Sequence, residues 1–255
     1  MLLAIDIGNT QTVLGVFDGP ALRANWRVAT RRDATADELG VLVRSLFAHA
    51  ALEPARVDAA IVSSVVPDLN GAYAEAGRRH LGLEPLFVGP GVKTGMPILY
   101  DNPHEVGADR IVNALAAKER YGAPVIVLDF GTATTFDVVG PGGEYLGGVI
   151  APGLGTSAEA LFAKAARLHR VDLRRPARVI GRNTEESVQA GLFHGYVALV
   201  EGLVTRIRAE LGCEAPVVAT GGLAPVFEDE MPFLSAADPD LTLEGLRRIW
   251  ERNRP

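Results

Sequence analysis

The chain has 255 residues, 25 Lys and Arg against 31 Asp and Glu, and a formal net charge of -6, which leaves room for two compact lobes but argues against the concentrated cationic face that nucleic-acid binding requires. A single cysteine, Cys213, excludes an internal disulfide and cannot build a zinc site. The N-terminus carries no basic export signal, and no stretch approaches the roughly 18 apolar residues of a membrane span, so a cytoplasmic protein with no membrane partner is expected.

The first apolar run ends in Asp6 and is followed by Gly8, Asn9 and Thr10, then by a second alternating run. That pattern predicts strand, tight turn, strand. A turn at residues 18–20 leads into a third strand over 22–29. A helix over 36–50, a strand over 59–63, a helix opened by Pro67 at its favoured first position and a short strand near 86–88 come next. Pro103 marks the start of another helix, over 105–120, whose Ala108, Ile111, Val112, Leu115 and Ala116 form one apolar stripe.

The pattern then repeats. Residues from Val125 align with the N-terminus without a gap, at an offset of 123 residues from Asp6 to Asp129, and Gly131, Thr132 and Thr134 follow the second Asp. A turn at 140–143, a strand over 145–151, a long helix over 185–211, a strand over 216–219 and a closing helix near 243–252 complete the second half. The order β-β-β-α-β-α, twice, predicts an α/β fold of two lobes, 1–122 and 123–255, with a ligand cleft between two Asp-Gly turns. One such turn is ordinary hairpin grammar, because Asp, Gly and Thr form turns whatever they bind; two at the same offsets point to a pair of site turns.

None of the three lysines, Lys93, Lys118 and Lys164, sits in a GxxxxGK[ST] loop, which excludes P-loop chemistry. The five histidines lack metal-site spacing and read as surface or capping residues. Phosphoryl transfer instead suits the two turns: glycine N–H groups and threonine hydroxyls supply donors, and Asp6 and Asp129 supply oxygen ligands for cations. Thr220-Gly221-Gly222 after a strand would let a flat base lie on bare backbone; alone, it reads equally well as a helix-starting turn. Asp109 lies at the edge of its helix stripe and is the candidate base, with Arg110 placed to grip a carboxylate. For an arbitrary helix the same pair reads as a helix-start Asp beside a solvated Arg.

Six segments together resemble the type III pantothenate kinases: DIGNT at 6–10, GADR at 107–110, DFGTATT at 129–135, GGVIAPG at 147–153, GRNTEESVQAG at 181–191 and TGG at 220–222. The resemblance implies two duplicated ribonuclease-H-like lobes of the actin/sugar-kinase superfamily. It implies transfer of the ATP γ-phosphoryl group to the primary hydroxyl of pantothenate, the first step of coenzyme A synthesis. By the same resemblance Asp6, Ile7, Gly8, Asn9, Thr10, Gln11, Thr12 and Val13 form the first phosphate turn, with Asp6 near Mg²⁺. Thr132, Gly221 and Gly222 touch the nucleotide, and Asp109 is the proton acceptor. Tyr100, Gly107, Ala108, Asp109 and Arg110 surround pantothenate, Asp129 binds K⁺ or NH₄⁺, and Thr184 reaches pantothenate from the partner in a homodimer. Asn183 and Thr184 also read as a helix N-cap, with Glu186 in the capping-box position. The rival expectations are a sugar or polyphosphate kinase or phosphatase of the same superfamily, and a non-catalytic accessory factor for transcription.

Overall fold

A computed structural model describes residues 1–254 apart from 166, 167 and 169, so that His169 lies outside the described residues. The chain divides into two compact units: Met1–Met96 with Tyr100–Ala116 and Asp240–Pro255, and Pro97–Leu99 with Ala117–Pro239.

The first unit is built on a five-stranded sheet. Strands β1 (Leu2–Ile7), β2 (Gln11–Asp18) and β3 (Ala21–Ala29) form the expected meander, and β4 (Ala59–Ser64) and β5 (Leu86–Phe87) add in parallel on the far side of β1, in the order β3-β2-β1-β4-β5. Helix α1 (Ala36–His49) is opened by a capping box in which Thr35 accepts from Glu38 N and Glu38 accepts from Thr35 N. Helix α2 (Pro67–Ala76) starts on its proline, as expected. Both helices cover the sheet face that carries Leu3, Ile5, Ile7, Leu14 and Val16, with Phe47 and Leu69 at the centre of the core.

Helices α3 (Ala108–Tyr121) and α7 (Leu241–Asn253) differ from the sequence expectation. Pro103 opens only a 3-10 turn, Pro103–Glu105, capped by Asn102; Val106 is extended, and α3 begins at Ala108. The closing helix α7 packs on β1, β2 and β4, on the first sheet instead of the second. Its Leu241, Leu243, Leu246 and Ile249 are buried. Gly15 of β2 leaves the space that Leu243 fills, and Thr242 Oγ1 donates to Asn113 Oδ1 of α3 at 2.7 Å. Amphipathic spacing fixes that a segment is a helix, and long-range packing decides which sheet its apolar face meets.

The second unit repeats the sheet. Strands β6 (Val125–Phe130), β7 (Ala133–Val139) and β8 (Tyr145–Pro152) form the meander; β9 (Val217–Thr220) and β10 (Leu234–Ala237) add in parallel, in the order β10-β9-β6-β7-β8. Helices α4 (Leu154–Lys164), α5 (Thr184–Leu211) and α6 (Ala224–Phe227) supply Leu154, Phe193, Tyr196, Val200, Val204 and Phe227 to the core under Leu128, Phe130 and Phe136.

The two meanders are not superimposable residue for residue. Four residues, 8–11, separate Ile7 from its partner Thr12, and three, 131–133, separate Phe130 from Thr134. The ungapped alignment therefore fails inside the turn. Asp6 faces Val13 across the ladder, whereas Asp129 faces Thr135, because a one-residue change moves every following side chain to the other sheet face.

Candidate active site

In the first unit, Ile5 and Ile7 belong to the core, so Asp6 between them projects from the opposite face at the carboxyl end of β1. Its strand neighbours are Val13 and Ser63. The Ser63 hydroxyl is buried and has no hydrogen-bond partner among the described residues. The turn after Asp6 is held shut by Gly8 N donating to Gln11 O at 3.1 Å, and a β-carbon on Gly8 would stand 2.8 Å from that same carbonyl. Asn9, Thr10 and Gln11 are exposed at its rim; Thr12 is buried, its hydroxyl 2.9 Å from that of Thr30.

Residues 107–110 come together at the start of α3, where Arg110 N and Ile111 N both bond to Gly107 O, at 3.1 and 3.3 Å. Asp109 is half-buried and accepts from Arg110 N at 2.8 Å. Burial raises its pKa above the usual carboxylate value, against the opposing pull of the Arg110 N–H and guanidinium. That combination suits a general base better than an ordinary solvated helix-start Asp does. Arg110 is only 8% exposed, not the solvated residue of an arbitrary helix. Val65 links this turn to the Asp6 strand: its N–H donates to Ile7 O at 3.0 Å, and its side chain lies beside Gly107. Tyr100 is half-buried, ahead of the 3-10 turn.

In the second unit, Asp129 projects from the sheet face opposite Leu128 and Phe130, beside Thr135 on one side and Thr220 on the other. Sequence reading places Thr220 in the base-binding turn and Thr135 in the 129–135 motif without setting either beside Asp129, and it misses Ser63, because strand pairing alone brings them to the carboxylates. The turn after Asp129 is braced from a third segment: Gly153 N and Thr156 Oγ1 donate to Thr132 O at 3.0 and 2.7 Å. A β-carbon on Gly153 would collide with Gly131 O and Thr132 O, which gives the 147–153 motif its structural reason. Gly221 has φ +91° and lies against Asp129, where a β-carbon would clash with the carboxylate and stand 2.7 Å from Phe130 N and O. Gly222 is exposed beside it. Tyr196 bonds Thr134 Oγ1, and burial, reinforced by the charge of Asp129, raises its phenol pKa.

On the same sheet face, two residues beyond Thr135, Asp137 is fully buried and accepts from Tyr145 OH at 2.8 Å and from Thr135 Oγ1 at 3.1 Å. Among the described residues no three His, Cys, Asp or Glu side chains converge as a metal cage. The donor set fits cations held partly by a substrate: a carboxylate beside a buried hydroxyl at Asp6, and a carboxylate between two hydroxyls at Asp129.

Thr184 opens α5 and is exposed. The cap is Asn183, whose Oδ1 accepts from Glu186 N at 2.8 Å; Glu186 in turn accepts from Arg182 N, one residue earlier than a standard capping box. Thr184 lines an open groove of about 840 Å³ with Leu161, Leu168, Val188 and Leu192.

Comparison with known proteins agrees with this arrangement. The family model described as type III pantothenate kinase matches residues 2–206. A type III pantothenate kinase of Myxococcus xanthus is 58% identical over 253 residues, covering 99% of each chain. Among solved structures, a Baf family transcriptional activator from Campylobacter jejuni superimposes with TM-score 0.63 at 18% identity over 98% of each chain. The activator of 2-hydroxyisocaproyl-CoA dehydratase from Clostridium difficile, with bound ADPNP, gives 0.58 at 12% identity over 97% of this chain and 92% of its own. At those identities the two structures establish the shared two-sheet fold alone, whereas the sequence match runs through every motif of the site. The chain belongs to the type III pantothenate kinase family.

Proposed function

We propose that the protein transfers the γ-phosphoryl group of ATP to the primary hydroxyl of pantothenate, giving 4′-phosphopantothenate. The observation that carries this reading is Asp109: a half-buried carboxylate of raised pKa, inside the GADR segment of a chain that matches the family over its full length. Asp109 orients the attacking hydroxyl and takes its proton late in a loose transition state. Arg110 holds the pantothenate carboxylate, with Tyr100, Gly107 and Ala108 shaping the rest of that pocket. Residues 6–13 cradle the phosphates through backbone N–H groups and hydroxyls; Thr132, Gly221 and Gly222 meet the nucleotide. Mg²⁺ at Asp6 and K⁺ or NH₄⁺ at Asp129 neutralise phosphate charge when bound.

A homodimer completes the reading, with Thr184 of one subunit reaching the substrate of the other. Supporting it are the groove beside Thr184 and two exposed apolar residues in the approach to α5, Val179 at 67% and Ile180 at 82%. Light scattering of wild type and of Ile180→Asp tests this arm: a dimer that the substitution weakens is expected, and a wild-type monomer overturns it. We place the protein in the cytoplasm; no described helix is long and apolar enough to cross a membrane.

The deciding experiment is ADP release with ATP, Mg²⁺ and pantothenate, in K⁺ and again in Na⁺ alone. Release that requires both pantothenate and K⁺ is expected. Release indifferent to pantothenate removes the substrate assignment, and equal rates in the two salts remove the role given to Asp129.

A further inference from the structure

We propose that Arg32 is a phosphate-contacting residue of the nucleotide site, supplying the fixed positive charge that a loop lysine provides in other phosphate turns. The inference rests on residues 6–13 being the phosphate turn, as proposed above. Arg32 Nη2 donates to Asn9 Oδ1 at 2.9 Å, on the exposed rim of that turn. The backbone leading to it is fastened to the same turn: Thr30 N donates to Thr10 O at 2.9 Å and Thr30 Oγ1 to Gly8 O at 2.7 Å. Arg32 is thereby tied to the rim twice, once through its own side chain and once through Thr30, two residues before it.

The charge environment separates Arg32 from the arginine beside it. Arg31 lies 3.6 Å from an Asp33 oxygen and 3.4 Å from a Glu38 oxygen, so its charge is balanced within the chain. Arg32 has no carboxylate partner among the described residues; its one side-chain bond is to a neutral amide. A guanidinium carries five N–H donors in a rigid fork, so holding Asn9 with one leaves others to meet two phosphate oxygens in parallel. The three lysines stand on other segments: Lys93 is bound through its backbone to Asn253, Lys118 lies beside Gly143, and Lys164 ends α4.

An exposed Arg–Asn hydrogen bond contributes little to stability, and a neutral side chain could make it equally well. The unbalanced charge therefore matches an anion arriving at the turn. A guanidinium at the rim strengthens with each phosphate that reaches it, so it discriminates ATP and ADP from AMP. The exposed Arg27, whose Nη1 donates to Gln11 Oε1 at 3.1 Å, is the natural comparison.

The test measures binding of ATP, ADP and AMP, each with Mg²⁺, by NMR titration of the full chain. Arg32→Gln, Arg32→Lys, Arg31→Gln and Arg27→Gln are compared with wild type, and thermal melting confirms that each is folded. Arg32→Gln is expected to weaken ATP by about ten- to a hundredfold, the range for a hydrogen bond to a charged group, and to leave AMP unchanged. Arg32→Lys should recover part of the loss, and Arg31→Gln should lose nothing. Equal weakening of ATP and AMP would mean that Arg32 only shapes the turn; an unchanged ATP affinity, or an ATP-selective loss in Arg27→Gln but not in Arg32→Gln, equally overturns the inference. Wild type that binds no ATP sinks the phosphate-turn reading itself, a result distinct from any of these.

Discussion

A β-carbon on Gly107 would stand 2.5 Å from Asp109 Oδ1, so the carboxylate of the candidate base occupies space that only glycine leaves open. The two residues form one device, with Arg110 N–H fixing the same oxygen at 2.8 Å. Gly107→Ala must push the carboxylate aside while leaving α3 intact. Turnover is expected to fall at least about tenfold, since small misplacements of a positioned group are costly, with melting temperature nearly unchanged. Steady-state kinetics beside a thermal melt checks this; full turnover in a folded Gly107→Ala protein would show that the carboxylate position is immaterial.

Asp109→Asn removes the proton acceptor and should reduce turnover by at least about a hundredfold, the lower end for general-base contributions. Stability should move the other way. Because burial raises the folded pKa above the unfolded value of about 3.9, the ionised carboxylate is tolerated less well in the folded chain than in the unfolded one. That penalty is absent below the unfolded pKa and is fully present once pH exceeds the folded pKa. Asp109→Asn should therefore melt higher than wild type near pH 8, with the gap closing toward pH 4. In wild type, the acidic limb of kcat/KM should lie above the ordinary Asp value.

Gly221→Ala places an L-residue at φ +91° against the Asp129 carboxylate and the Phe130 backbone. A forced conformation of this kind costs about 1–3 kcal/mol before the collision is counted. The urea midpoint should drop accordingly, and nucleotide affinity should fall with it. Gly71→Ala, at an exposed position of α2 where an added β-carbon meets nothing within 4 Å, is the control.

Tyr145→Phe deletes one of the hydroxyl donors to the fully buried Asp137 while the ring stays in place. Leaving a buried carboxylate short of a donor costs about 1–3 kcal/mol, readable in urea unfolding. A variant as stable as wild type would mean that the carboxylate is satisfied without the phenol.

Much of this was legible in sequence. The alternating runs, the turn glycines and the Pro67 helix start each follow from local chemistry, and the strand and helix limits agree within a few residues. What pairing and packing decide was hidden. Nothing in the run of residues near Asp129 indicates that its turn is one residue shorter than the turn after Asp6, yet that difference exchanges a valine for a threonine beside the carboxylate. Ser63 and Thr220 become neighbours of Asp6 and Asp129 only through parallel pairing across long crossovers. The four residues of β10, most of them half-buried whichever face they take, are too few to show a period. Asp109 was found by its place on a helix edge, although the helix begins later than Pro103 suggests.

The position of α7 carries a consequence for how the molecule is made. Its apolar face covers β1, β2 and β4, strands that leave the ribosome long before it, with Leu241 following Ile7 of β1 by more than two hundred residues. During synthesis one face of that first sheet has no cover, while the 117–239 region can gather its own core from residues already emerged. Contacts of such long sequence separation are slow to form, and an apolar sheet face waiting for its helix is a natural target for chaperones. A released chain that ends at Asp240 should therefore be protease-resistant in the later region and cleavable in the earlier one.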